Sequence, residues 1–319
     1  MSKKPLIILT GPTAVGKTNL SIALAKAING EIISADSMQV YRGMDIGSAK
    51  ITPEEMQGVP HYLIDELEPD EEFHVVKFKN MARKYMEQIY EKGKIPILTG
   101  GTGFYIQSVL YDINFTENSS DAVYRTELEQ LAKEHGAEYL HRMLAEVDPD
   151  SAGDIHANNV KRVIRALEYY HDSGQPISVH NRQERQKESP YAAVYFVLNE
   201  ERSRLYERIN QRVDTMLEQG LVDEVRRLRA RGFTSDMVSM QGLGYKEILD
   251  YLDGKCSLED AVYRLKRDTR HFAKRQITWF KREKNVCWVQ KEDFEDQDAV
   301  LAYMLDIISN VCGKEEIIK

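Results

Sequence analysis

The stretch Gly11-Pro12-Thr13-Ala14-Val15-Gly16-Lys17-Thr18 has the residue types and spacing of a phosphate-binding loop. Its glycines let the backbone turn its N–H groups toward phosphate oxygens, and a helix starting at the loop would add the positive end of its dipole. Lys17 would reach the outer phosphates, and the Thr18 hydroxyl would ligate Mg2+. Two more polar groups stand where apolar runs end. Asp36 closes Glu31-Ile-Ile-Ser-Ala-Asp36, and Thr102 lies in Gly100-Gly101-Thr102-Gly103, whose glycines permit close backbone approach to a ligand. A carboxylate so placed can hold magnesium, and the threonine can cap a tight strand-to-helix turn.

These groups need a frame. "PLIIL" reads as a strand entering the loop, "KTNLSIALAKAI" as a helix stopped by Asn29-Gly30, and "EIISAD" as a second strand. A helix over 75–92 closes at Gly93 and feeds the strand "IPILTGGTGFY". Apolar strands alternating with helices predict an α/β fold: a parallel sheet of the P-loop NTPase type with flanking helices. After Tyr111 the polar stretch 112–121 leads into helices that end near Gly136, Val147 and Gly174, and strand-like "YAAVYFVLN" returns at 191–199. The expected division is a core of 1–114 and 190–319 interrupted by an all-helical insertion, 115–189. From 200 onward the pattern is helical, with a long helix opened by the capping-box sequence Ser257-Leu-Glu-Asp260.

No apolar run approaches the roughly 20 residues that span a bilayer, and no cleavage site precedes the loop, so the cytoplasm is the expected location. Cys256, Cys287 and Cys312 lack metal-ligand spacing. A net charge of −8 argues mildly against a nucleic-acid partner, yet residues 264–284 carry nine Lys or Arg against two acids. At helical spacing Arg267, Arg270, Lys274 and Lys281 share one stripe, opposite Leu265, Phe272, Trp279 and Phe280. With 226–232 and Arg204, Arg208 and Arg212, this suggests a basic channel wall or anion clamps that lie deeper.

Read from the residues alone, the loop fits a kinase or nucleoside triphosphatase or a non-enzymatic nucleotide switch, with chemistry other than ATP hydrolysis also to be considered. A kinase needs an acidic strand end to organise magnesium. Asp36 could serve, but "ILTGGTG" supplies no acid and "DSMQVYRGMDIGSAK" is not a recognisable magnesium motif.

Nearly the whole chain resembles the tRNA dimethylallyltransferases, through "GPTAVGKT" (11–18), "ISADSMQVYRGMDIGSAK" (33–50), "PHYLID" (60–65), "LTGGTGFY" (98–105), "RVIRALE" (162–168), "GLGYKE" (242–247) and "AKRQITWF" (273–280). The resemblance implies transfer of a dimethylallyl group from dimethylallyl diphosphate to N6 of the adenosine 3′ of the anticodon. It makes Asp36 the general base, gives Lys17 and Thr102 places at the reacting centre, and puts residues 11–18 with Lys274 and Arg275 on the diphosphate. It also implies RNA contacts from Asp36, Ser37, Met38, Gln39 and Thr102, from Asn158, Asn159, Val160, Lys161 and Arg162, and from Gln241, Gly242, Leu243, Gly244, Tyr245 and Lys246. Phe104 and Tyr105 would wall the prenyl pocket, or belong to the core. The helical insertion would close on the anticodon stem, and the target base would be flipped toward Asp36. A magnesium-dependent monomer of the bacterial type is expected, since no Cys-Cys…His-His spacing marks the zinc finger of some members. A prenyltransferase for free adenine nucleotides stands as the nearest alternative, though it has little use for an extended basic face.

On this reading Asp36→Asn retains RNA binding but slows the chemical step by about 10²-fold or more. Single-turnover rates check it, and an unchanged rate removes Asp36 from the role.

Overall fold

The computed structural model describes residues 3–115, 122–184 and 186–313, so most of the polar stretch expected at 112–121 lies outside the described residues. In chain order, β1 (Pro5–Thr10) leads to α1 (Lys17–Ala27), β2 (Gly30–Ser34), the two-residue β3 (His61–Tyr62), α2 (Val75–Glu91), β4 (Ile95–Gly100) and α3 (Gly103–Leu110). Next come α4 (Ala122–His135), α5 (Ala137–Val147), α6 (Pro149–Asp154), α7 (Val160–Ser173) and α8 (Ile177–Glu184). β5 (Ala192–Asn199) is followed by α9 (Arg202–Glu218), α10 (Leu221–Ala230), α11 (Tyr245–Leu252), α12 (Leu258–Phe280), β6 (Val286–Gln290) and α13 (Gln297–Cys312). The chain divides into two compact units, 1–110 with 190–319 and 111–189.

The first unit is built on a six-stranded sheet in the order β3-β2-β4-β1-β5-β6, and every pairing is parallel. β1 lies between β4 and β5, with Leu9 level with Thr99 on one side and Phe196 on the other. The uninterrupted apolar runs follow from burial of both faces, which leaves no solvent side to force alternation. Ile7, Leu9, Leu24, Ile32, Phe196, Ile209 and Met304 form part of one continuous core that joins the sheet to α1, α9 and α13. Because all strands run the same way, the turns after β1, β2, β4 and β5 gather on one edge. That edge is where open parallel sheets bind ligands.

Two strands depart from the sequence expectation, which held three strands up to residue 105 and a helical chain beyond residue 200. β6 is an edge strand whose residues are mostly half-buried, so neither an apolar run nor an alternation marks it. β3 is too short to produce a pattern.

In the second unit, α4, α5 and α7 pack around Leu128, Leu140, Leu144, Val163 and Leu167. Asp148 accepts hydrogen bonds from the N–H groups of Ser151 and Ser178, both at 3.0 Å, and so caps α6 and pins the start of α8. Those two short helices carry too few turns to reveal an apolar period.

At the start of β2, on the far side from the ligand edge, the buried Glu31 carboxylate accepts from Tyr62 at 2.7 Å, Lys92 at 2.9 Å and Lys94 at 2.8 Å. Burial alone would raise its pKa, but the bonds from Lys94, Tyr62 and Lys92 outweigh that and hold it below the usual value. A depressed carboxylate stabilises the fold above its unfolded pKa, and that contribution is lost as pH falls through the folded value. Glu31→Gln therefore costs about 1–3 kcal/mol at neutral pH, and the gap from wild type closes below about pH 4. Melting curves across that range check it, and a pH-independent gap contradicts it.

Candidate active site

The loop after β1 is a cradle. Val15 N donates to Pro12 O at 3.4 Å, and Gly16, at the N-cap of α1, has φ 97. That left-handed conformation is costly for any residue with a Cβ, and a Cβ at this point would also stand 3.3 Å from the Arg208 guanidinium. A buried glutamine of α12 fixes the cradle to the next turn: Gln276 accepts from Thr13 N at 2.8 Å and donates to Gly101 O at 2.9 Å.

A cavity of about 360 Å³ opens beside the loop. Its walls include Lys17 and Thr18 from the loop, Asp36 after β2, Thr99 and Gly100 at the end of β4, and Arg208 and Arg212 from α9. The Lys17 ammonium donates to the carbonyls of Gly11 and Pro12 at 3.0 and 2.8 Å. Burial first, and then the neighbouring Arg212, push its pKa down to about 7 against an opposing pull from Asp36. Burial likewise lowers Arg212, with Asp36 again opposing. Glu200, the residue after β5, lies 3.5 Å from Arg208 and 3.4 Å from Lys291, so one carboxylate holds two cations near the loop.

Asp36 is shaped by a turn. Its Oδ1 accepts from Met38 N at 2.8 Å and Gln39 N at 3.4 Å, while among the described residues no donor meets Oδ2. Such a carboxylate is fixed in orientation and keeps one oxygen for a proton. His61, also in the wall, places Nδ1 2.8 Å from Val59 O, and burial holds its pKa below the ordinary value.

The structure brings Lys17, Thr18 and Asp36 together in this cavity, with Thr13, Ala14, Gly16 and Gln39. Gly11, Pro12 and Val15 are buried behind the loop. Thr102 contributes its backbone: its N–H bonds Ala35 O at 3.2 Å and its carbonyl accepts from Tyr105 and Ile106, opening α3. Lys274 and Arg275 do not line this cavity. They are exposed and line a separate groove with His271, Thr278, Trp279 and Arg282, because the inward face of α12 is Ala261, Leu265, Ala273, Gln276 and Phe280. Trp279 and Phe272 are only half-buried, and Arg270 donates to Asn210 on α9 at 2.6 Å. The guanidinium groups at the phosphate loop are those of Arg208 and Arg212 instead.

Tyr105 stacks on Phe78 at 4.5 Å and donates to Phe73 O, which makes it core, while Phe104 is exposed beside Trp279. The Tyr245 side chain is fully buried and donates to Glu224 at 2.8 Å, so it is not available to RNA. Gly242 backs onto Met38, Gln241 is exposed and bonds Ser235 O, and Ser37, Leu243 and Lys246 are half-buried. Gly244 is buried at the N-cap of α11. Asn158, Asn159, Lys161 and Arg162 are exposed around the start of α7 in the second unit, with Val160 half-buried.

Sequence reasoning missed Gln276, although its position three after Ala273 and four before Phe280 puts a polar residue on the apolar stripe. Glu200 and Lys291 carried no signal. As for magnesium, no three His, Cys, Asp or Glu side chains gather as a cage among the described residues. The exposed Thr18 hydroxyl fits the usual arrangement, in which phosphate oxygens and water complete the sphere.

A family model described as IPP transferase matches residues 39–283. The chain is 63% identical over 316 residues to a tRNA dimethylallyltransferase of Lachnoclostridium phytofermentans, covering 99% of this chain and all of that one. It is 52% identical to the same-named protein of Acetivibrio thermocellus, over 93% of this chain and 95% of that one. Among solved structures it is similar to a tRNA isopentenylpyrophosphate transferase of Bacillus halodurans, with 46% identity, TM-score 0.75 and 98% of each chain covered. It is also similar to a eukaryotic dimethylallyltransferase described as acting on tRNA, with 31% identity and TM-score 0.83, over 96% of this chain and 80% of that one.

A lysine with pKa about 7 is half neutral at neutral pH, and an anion binds its charged form. Inorganic pyrophosphate binding should therefore weaken as pH rises above about 7 and should take up a proton at pH 8. Titration calorimetry in buffers of different ionisation enthalpy measures that uptake. Binding without a proton at pH 8 contradicts the assignment.

Proposed function

Because the chain belongs to the tRNA dimethylallyltransferase family, we propose that its cavity carries the dimethylallyl group of dimethylallyl diphosphate to N6 of the adenosine 3′ of a tRNA anticodon. One observation carries this reading: a phosphate cradle backed by two helix arginines shares a single cavity with one oriented carboxylate, Asp36. In the transfer, the N6–C1 bond forms as the C1–O bond breaks, the electron pair leaves with pyrophosphate, and the N6 proton passes to Asp36. The lone pair of the adenine N6 amine is delocalised into the ring, so a positioned base lowers the barrier. Loop N–H groups, Lys17, Arg208 and Arg212 face the oxygens on which negative charge grows, which is where stabilisation accelerates the step. Thr18 would hold Mg2+ against the same oxygens, and the ion would supply further charge neutralisation to the leaving group.

The exposed basic and amide side chains at the start of α7, with Gln241, Met38 and Lys246, are proposed to grip the RNA. The target base must leave its stack to reach the cavity. A tRNA substrate supports a cytoplasmic location, and a single chain is proposed to carry the chemistry.

Incubation of the protein and Mg2+ with labelled dimethylallyl diphosphate, alongside an anticodon stem-loop RNA or free AMP, tests this. Label on the RNA adenosine is the expected result. Label on AMP alone would transfer the reading to free-nucleotide prenylation, and turnover of ATP in place of either would make the loop that of a kinase.

A further inference from the structure

The segment that joins β2 to β3 carries Asp36, Gln39, Ser48, Ala49 and Ile51 into the cavity wall. It has no regular secondary structure beyond short turns, yet its geometry sets where the Asp36 carboxylate points. What holds it comes from another part of the fold. Glu224 of α10, 2% exposed, accepts from the N–H groups of three consecutive residues: Asp45 at 3.1 Å, Ile46 at 2.8 Å and Gly47 at 3.1 Å. The Tyr245 hydroxyl donates to the same carboxylate at 2.8 Å. Gly47 lies flat on the Tyr245 ring, where a Cβ would come within 2.6 Å of the ring carbon.

The next residues of the segment pass this constraint on. The Gln39 amide donates to Ala49 O at 3.1 Å and to Ser48 O at 3.5 Å, and its Oε1 accepts from Ser34 at 3.1 Å. Gln39 N in turn is one of the two amides that hold Asp36 Oδ1. A buried carboxylate with four donors is fully satisfied and is costly to disturb, whereas an exposed anchor would let the segment wander.

We propose that Glu224, braced by Tyr245, is a positioning residue: it fixes residues 45–47 so that the Ser48 and Ala49 carbonyls lock Gln39, and through Gln39 the Asp36 turn. The proposal rests on Asp36 being the base of the transfer reaction. Glu224 and Tyr245 themselves touch no substrate. They act over a chain of hydrogen bonds, and a displacement of the order of 1 Å at the reacting group costs about 10²-fold in rate.

A double-mutant cycle tests it. Single-turnover transfer to an anticodon stem-loop is measured for wild type, Glu224→Gln, Gln39→Ala and the double variant, each at a temperature where circular dichroism shows it folded. Glu224→Gln should slow the step by between about tenfold and 10²-fold with the KM for RNA little changed. The double variant should be no slower than Gln39→Ala alone, because both changes break one chain of contacts. Amide hydrogen exchange at Met38 and Gln39 should rise in Glu224→Gln, a readout that needs no reaction. Multiplying rate effects, or faster exchange at 45–47 with Met38 and Gln39 unchanged, would overturn the proposal. A wild type that transfers no label sinks the prenyl-transfer reading, and exchange still decides the clamp. Should Glu224→Gln not fold, Tyr245→Phe keeps the ring and removes one donor, and it must give the same pattern at smaller size.

Discussion

Positive charge crowded around one loop is the constraint from which the rest of the first unit follows. Lys17 lies in the loop, Arg208 and Arg212 approach from α9, and the Lys291 ammonium would stand 3.8 Å from a Cβ on Gly16. Like charges gathered around one partly buried loop repel one another more strongly than they would in bulk water. The lowered pKa values of Lys17 and Arg212 register that pressure along with burial. Glu200 relieves part of it, and a diphosphate would relieve the remainder. A site so charged favours a reaction in which negative charge accumulates on the oxygens it holds, and departure of pyrophosphate from an allylic carbon is such a reaction.

That arrangement cannot be made by the amino-terminal half alone. α9 supplies the guanidinium groups, Gln276 of α12 ties Thr13 to Gly101, and Lys291, just after β6, pairs with Glu200. On the other side of the cavity, α10 and the start of α11 brace the segment that carries Asp36. The long carboxyl-terminal run of helices therefore completes a site whose most visible motif lies in the first twenty residues.

The sheet and the loop were legible because their signals are local. β1, β2, β4 and β5 are apolar runs bounded by glycine or polar residues, and the phosphate loop is fixed by spacing alone. β3 and β6 were not legible, since one is two residues long and the other is a half-buried edge. Among the arginines, Arg208 and Arg212 stood among the candidates for a deeper clamp, but the density of charge in α12 drew attention to Lys274 and Arg275. Only packing decides between them: α12 turns Gln276 inward and leaves those two cations in solvent. Glu224 was invisible for a similar reason. In "LVDEVRRLRA" a glutamate reads as part of a solvated face, and its partners lie some 180 residues away at Asp45, Ile46 and Gly47.

The most direct measurement is a crystal structure of Asp36→Asn with Mg2+, an unreactive sulfur analogue of dimethylallyl diphosphate, and an anticodon stem-loop. The account predicts diphosphate oxygens on the loop amides, Lys17, Arg208 and Arg212, with the allylic carbon and a flipped adenine N6 meeting beside residue 36. A diphosphate bound in the outer groove at Lys274 and Arg275, or an N6 turned away from residue 36, would contradict it.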